Sequence, residues 1–128
     1  MAKTTLIDAY APECPIRNVL ARFADKWGLL VLHTLTLKEK SRFMEIHEQM
    51  PDISKRMLSQ TLKVLVADGL VERTEYKTIP PTVEYNQSEI GKTLIPHIIG
   101  LLDWGRDHIK PIMEHRLKDS DSNKAEER

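Results

Sequence analysis

Five side chains in one short stretch have the right chemistry to recognise the edges of nucleic-acid bases and the phosphates beside them: Lys55, Arg56, Ser59, Gln60 and Lys63. Arg and Lys bond guanine or a phosphate oxygen, Gln suits adenine, and Ser suits either. At about 100° per residue on a helix the five fall within an arc of roughly 140°. Met57, Leu58, Thr61, Leu62, Val64 and Leu65 fill the opposite side, and no carboxylate intervenes before Asp68. Arg56, Ser59 and Gln60 are the candidates for base contact, and Lys55 and Lys63 for phosphate. On this helix alone the plainer account has the advantage: a solvated face on a core helix. The elements around it reverse that preference.

A second candidate is Cys14. Pro15 fits the first position of a helix, where its missing N–H costs nothing, so Cys14 falls at or beside the N-cap. A thiol there sits in the positive end of the helix dipole, which favours thiolate and reactivity. Arg17 adds positive charge and Glu13 subtracts some. The alternative is a small apolar filler near a subunit contact.

Other chemistries have little to work with. His33, His47, His97, His108 and His115 lack metal-ligand spacing, and one cysteine cannot complete a zinc set. There is no nucleophile-base set, so neither catalysis nor a cofactor is expected. No GxGxxG stretch occurs among five glycines, which argues against a dinucleotide fold.

With 19 Lys and Arg against 19 Asp and Glu, the 128-residue chain has no bulk basicity, so any footprint for nucleic acid must come from local clustering. The length suits one domain with a real core. No apolar run approaches a membrane span, and Met1–Asp8 lacks a signal-peptide core. A single cysteine fits a reducing compartment, so a cytoplasmic protein without membrane partners is expected.

The elements that position the polar face have marked ends. Ser54 is an N-cap whose hydroxyl can accept from the first turn, and Ile53 and Leu58 are spaced as a hydrophobic staple. Gly69 supplies a left-handed stop. Residues 1–13 read as an arm with Leu6, Ile7 and Tyr10 free to pack on a partner. Ile16, Val19, Leu20 and Phe23 recur at helical spacing. Asp25 can cap a second helix with Trp27, Leu30, Val31, Thr34 and Leu35 inward. Ser41 can cap a third that carries Phe43, Ile46 and Met50 inward and ends near Pro51. A short turn then leads into the helix at 54–68, which makes a helix-turn-helix.

Leu70–Tyr76 and Thr82–Asn86 read as strands, with Pro80 and Pro81 in the loop between them. A hairpin directly after a recognition-helix candidate is the wing of a winged helix. From Ser88 on, Ile90, Leu94, Ile95, Ile98, Ile99, Leu101, Leu102, Trp104 and Ile109 exceed what one buried face needs, so the segment should pack on both the core and a second subunit. Pro96 should bend or split it. Residues 116–128 carry no apolar content after Leu117 and read as a frayed tail.

In this order and spacing the chain resembles the HxlR-type winged helix-turn-helix regulators, relatives of the MarR type. The resemblance spans about residues 14 to 108. It rests on Cys14-Pro15, Lys26-Trp27, Arg42-Phe43, Ile53-Ser54, Met57-Leu58, Leu62, Leu65, Ala67 to Val71, Pro80-Pro81, Val83 to Tyr85, Gly91 and Trp104-Gly105. It implies a mainly α fold with a small β-hairpin wing, and a homodimer built by N- and C-terminal helices. On that basis residues 14–115 form the winged helix-turn-helix domain between the arm and the tail. It also implies double-stranded DNA as partner, with a pseudo-palindromic operator at which nearby genes are repressed or activated, a repressor's role being favoured. Ser54, Lys55, Arg56, Ser59, Gln60 and Lys63 would then meet the major groove. Arg42 would contact a phosphate, unless it pairs with Glu45 or Glu39. Members often carry Arg after the paired prolines; here Thr82 stands there, and Arg73 and Lys77 are the substitutes. Some relatives use a cysteine at the place of Cys14 as a redox or electrophile sensor. An apolar cleft between the dimer helices could hold a small effector. The competing account is a winged-helix module for protein–protein contact, which would explain the zero net charge. The face at 55–63 speaks against it, because protein interfaces favour aromatic and apolar anchors.

Overall fold

The computed structural model describes residues 20–126, so the N-terminal arm, Cys14 and the helix start at Pro15 lie outside the described residues. The described chain opens inside a helical stretch that closes at Phe23. It continues as α1 (Lys26–Thr34), β1 (Ser41–Arg42), α2 (Phe43–Gln49), α3 (Lys55–Ala67), β2 (Val71–Tyr76), β3 (Thr82–Gln87) and α4 (Glu89–Glu126). The chain divides into two compact units, 1–95 and 96–128. The first unit holds a helix-turn-helix followed by a three-stranded antiparallel sheet in the order β1-β3-β2, which is a winged helix.

Each helix begins where a side chain can take up a free N–H. The Asp25 carboxylate accepts from Gly28 N at 2.6 Å and starts α1. A Cβ at Gly28 would stand 2.3 Å from the Phe23 carbonyl oxygen, so the corner between the first helical stretch and α1 closes only on glycine. Val31, Leu32 and Leu35 face the core, whereas Trp27 and Leu30 of the expected stripe are only half-buried.

The onset of α2 differs from expectation. Ser41 is not its cap. It lies in β1, paired with Tyr85 and buried. The strand pairing satisfies its backbone, so the cap position moves one residue on to Arg42. There the Arg42 N–H donates to the Glu45 carboxylate at 2.9 Å. A two-residue strand is too short to leave a periodic signal, and nothing in the sequence pointed to it.

The ends of α3 are those expected. Ser54 Oγ accepts from Met57 N at 3.0 Å, and Ile53 and Leu58 are both buried. Gly69 stands at φ +78°. Leu70 N donates to Leu65 O at 2.9 Å and Gly69 N to Val66 O at 3.0 Å, which closes the helix with its last carbonyls satisfied. Leu58, Leu62 and Leu65 are fully buried on the inner side, and Ile46 and Ile53 are buried as well. Each such side chain contributes about 1.5–3 kcal/mol over leaving it in water. The outer polar face therefore has its direction set by the inner one.

The hairpin pairs Val71 with Gln87 through to Tyr76 with Thr82, and residues 77–81 form the loop as expected. Ser88 then starts α4, its Oγ accepting from Gly91 N at 3.0 Å.

α4 runs as one helix with Pro96 and Pro111 inside it, and the two compact units divide at Pro96. The expected frayed tail from 116 is helical through Glu126. No Gly or Pro follows Pro111, and Lys, Glu, Arg and Leu are good helix formers even without a core to face. In the second unit Leu102, Ile109 and Met113 are exposed at the helical spacing of one stripe, with Gly105 between them.

Candidate nucleic-acid interface

The candidate site is the outer side of α3 with the elements at its two ends. Lys55, Arg56, Gln60 and Lys63 are exposed, and Ser59 is half-buried at the flank. Ser54 is exposed but its oxygen already serves Met57 N, which leaves its own hydrogen to donate outward. Gln60 lies toward the other flank, where it borders a shallow cleft with Arg22, Phe23 and Met57.

Charge pairing sorts the cations of residues 20–95 into two groups. Arg22 Nε lies 2.7 and 2.8 Å from the two carboxylate oxygens of Asp68. Lys38 bonds Glu45. Lys40 Nζ donates to the Tyr76 hydroxyl at 3.1 Å. Arg73 Nη1 lies 3.6 Å from Glu75, and Tyr85 across the strand pair does most to raise its basicity, with Glu75 adding less. Lys92 meets Glu89, and Lys26 lies over the Trp27 ring. The remaining five are Arg42, Lys55, Arg56, Lys63 and Lys77, and none has an ion pair or side-chain hydrogen bond among the described residues. All five belong to the helix-turn-helix or the wing loop.

Two expectations change in detail. Arg42 pairs with neither Glu39 nor Glu45 among the described residues, because Glu45 is held by Lys38 and by the Arg42 backbone. Lys38 is the main cause that pulls the Glu45 carboxyl below its ordinary range, and the Arg42 N–H is the next. Arg73 is less available than Lys77, because its guanidinium lies 3.6 Å from Glu75 and its residue stands opposite Tyr85 on its own hairpin. Thr82 is occupied as well. Its hydroxyl lies 2.9 Å from that of Thr78, which in turn donates to the Pro80 carbonyl at 2.8 Å.

Three further contacts support the site. Asp68 at the C-terminal end of α3 opposes the helix dipole, and Arg22 answers it; an acid at that position was a signal that a cation must lie nearby. Lys40 ties the loop before β1 to the foot of the wing loop through Tyr76. His47 bonds the turn that leads into α3, with Nε2 at 2.9 Å from the Ile53 carbonyl oxygen.

Among the described residues no group of three His, Cys, Asp or Glu is placed to hold a metal ion, and no helix is long and apolar enough to cross a membrane.

Comparison with known proteins agrees with this geometry. The family model described as HxlR-like helix-turn-helix matches residues 23–113. The HTH-type transcriptional regulator YdeP of Bacillus subtilis is 40% identical over 96 residues, covering 74% of this chain and 73% of its own. Among solved structures, the transcriptional regulator ytfH from Salmonella typhimurium superposes with a TM-score of 0.75 at 32% identity, over 84% of this chain and 95% of its own. The redox regulator HypR in its reduced form superposes with a TM-score of 0.71 at 33% identity, over 78% of this chain and 98% of its own.

Proposed function

The chain belongs to the HxlR-like helix-turn-helix family of transcriptional regulators, and from that premise we propose that it binds duplex DNA as a homodimer and represses transcription at a pseudo-palindromic operator. The observation that carries the DNA reading is the sorting of its cations. Most of those elsewhere in residues 20–95 meet a carboxylate or a phenol, while Arg42, Lys55, Arg56, Lys63 and Lys77 have no partner among the described residues. Five solvated cations at the helix-turn-helix and the wing loop are suited to phosphates and base edges. A neutral chain can bind a polyanion through such local clustering, doubled by a two-fold axis.

The homodimer rests on the stripe of Leu102, Ile109 and Met113, exposed at 39%, 53% and 44%. An apolar stripe of that kind on a long helix suits a second copy of itself. Two recognition helices would then read half-sites one helical turn, or a multiple of it, apart. Selection of bound duplexes from a random pool tests both parts at once. Two-fold symmetric half-sites at that spacing support the reading. Failure to retain any duplex at low salt would sink it and favour a protein-binding module instead.

We further propose control by thiol chemistry at Cys14. HypR, at 33% identity, is named a redox regulator, and Cys14 is the chain's single cysteine. Operator affinity measured before and after treatment with a thiol reagent tests this; equal affinity in the two states would remove the sensor role.

A further inference from the structure

The turn between α2 and α3 is held by three bonds, and one of them comes from the His47 side chain. Met50 N donates to His47 O at 3.0 Å, and Ile53 N donates to Met50 O at 3.2 Å. The His47 ring then reaches forward, with Nε2 at 2.9 Å from the Ile53 carbonyl oxygen. A carbonyl only accepts, so Nε2 carries the hydrogen. Ile53 is thereby fixed twice. Its side chain is buried and its carbonyl is tied to the last turn of α2. The next residue is Ser54, the cap of α3.

We propose that His47 is a positioning residue for sequence recognition: its Nε2–H, held on the Ile53 carbonyl, sets how α3 leaves the turn and so where Arg56 and Gln60 meet the bases. The inference rests on the DNA reading above. The physical reason is leverage. Arg56 lies in the first turn beyond the cap and Gln60 in the second, so a small change of direction at Ile53 is carried along the rise of the helix to their side-chain tips. Bidentate base contacts demand close alignment. Phosphate contacts by long, mobile Lys side chains tolerate such a change. Loss of the bond should therefore reduce discrimination and leave general affinity nearly intact.

The test compares binding to the selected operator with binding to random duplex, at several salt concentrations. His47→Leu keeps a side chain of moderate apolar bulk and removes the donor. His47→Gln restores an amide N–H at about the same reach. The expected result for His47→Leu is a fall of about tenfold or more in the operator-to-random affinity ratio, the scale of one lost base contact. Random-duplex affinity and its salt slope should stay as in the parent, and His47→Gln should recover most of the ratio. Should His47→Leu not fold, His47→Asn, whose amide is too short to reach the carbonyl, is read in the same way. An unchanged ratio in the donor-less variant, or equal loss on both duplexes, overturns the inference while the parent's own binding keeps the DNA reading intact. A parent that bound no duplex would overturn the DNA reading, and this inference with it.

Discussion

The Ser88 hydroxyl donates to the Gly69 carbonyl, 19 residues back in the chain, and so joins the end of α3 to the start of α4. The same oxygen accepts from Gly91 N, and Ser88 N donates to Leu70 O at 3.1 Å. Gly91 completes the joint, because a Cβ there would stand 2.2 Å from the Leu70 carbonyl oxygen. The helix that carries the polar face and the first turn of the last helix are thus held through two glycines and one buried hydroxyl.

Gly91→Ala should lower stability by about 1–3 kcal/mol, the usual cost of forcing a group into a closed contact. Here the obstacle is backbone, so little can give way. Gly100→Ala is the control. Nothing lies within 4 Å of its Cβ position, so the substitution should be neutral or raise stability by up to about 1 kcal/mol through helix propensity. Urea midpoints of the two variants decide the matter. Equal midpoints for Gly91→Ala and the parent would show that the joint is looser than the structure has it.

Arg56 and Lys63 should separate specificity from affinity. Both are exposed on α3. Arg56→Ala should weaken operator binding by about 1–3 kcal/mol and relax the preference at one operator position. Lys63→Ala should weaken binding to all sequences alike and reduce the salt slope by about one. Titrations of operator and random duplex over a salt series provide both numbers. If Lys63→Ala changed base preference and Arg56→Ala did not, the assignment of the two would be reversed.

Much of this site was legible because its signals are local. Ser54, Ile53 with Leu58, and Gly69 are a cap, a staple and a left-handed stop, each decided within a few residues, and the helix between them followed. The proline-tipped loop fixed the hairpin in the same way. What stayed hidden depends on partners far along the chain. Ser41 looks like a cap until Tyr85 is placed beside it. Arg73 looks like a free cation until the hairpin sets it opposite Tyr85 and near Glu75. The Ser88 joint spans 19 residues, and the Arg22 to Asp68 pair spans 46. The helical run through Glu126 leaves no apolar periodicity to read, because charged side chains are compatible with helix without a buried face.

The Lys38, Glu45 and Arg42 cluster should show itself in acid. The Glu45 carboxyl is held below its ordinary range, chiefly by Lys38 and then by the Arg42 N–H. A depressed carboxylate contributes stability above its unfolded value, and that contribution is lost as pH falls through the folded one. The parent should therefore lose stability on acidification below the ordinary carboxylate range, and Glu45→Gln should lose less over the same interval. The difference is modest, because both partners are solvated. Urea midpoints from about pH 6 down to about pH 3 test it; parallel curves would mean that Glu45 is no better satisfied folded than unfolded.

The stripe on α4 gives a prediction about assembly. Ile109→Asp places a charge in the middle of Leu102, Gly105 and Met113. Burying an unpaired carboxylate costs several kcal/mol, enough to dissociate an interface of ordinary size. Sedimentation should show a dimer for the parent and a monomer for the variant, with far-UV circular dichroism little changed. Trp104→Ala, off the stripe at helical spacing, should leave the dimer in place. A variant that sedimented like the parent would move the interface elsewhere.

The wing should accept a cation at Thr82. Thr78 spends its only hydrogen on the Pro80 carbonyl, so Thr82 must be the donor in the bond between the two hydroxyls. Thr82→Arg removes that bond at an exposed site, where water can replace it. It also adds a guanidinium beside Lys77 at the tip of the hairpin. If the wing reaches the DNA backbone, the salt slope should steepen by about 0.9, one further phosphate contact. Random-duplex affinity at low salt should rise several-fold, while the base preference of the operator stays as before, because phosphate contacts carry no sequence. An unchanged slope would place the wing away from the backbone and leave the affinity to Arg42 and the face of α3.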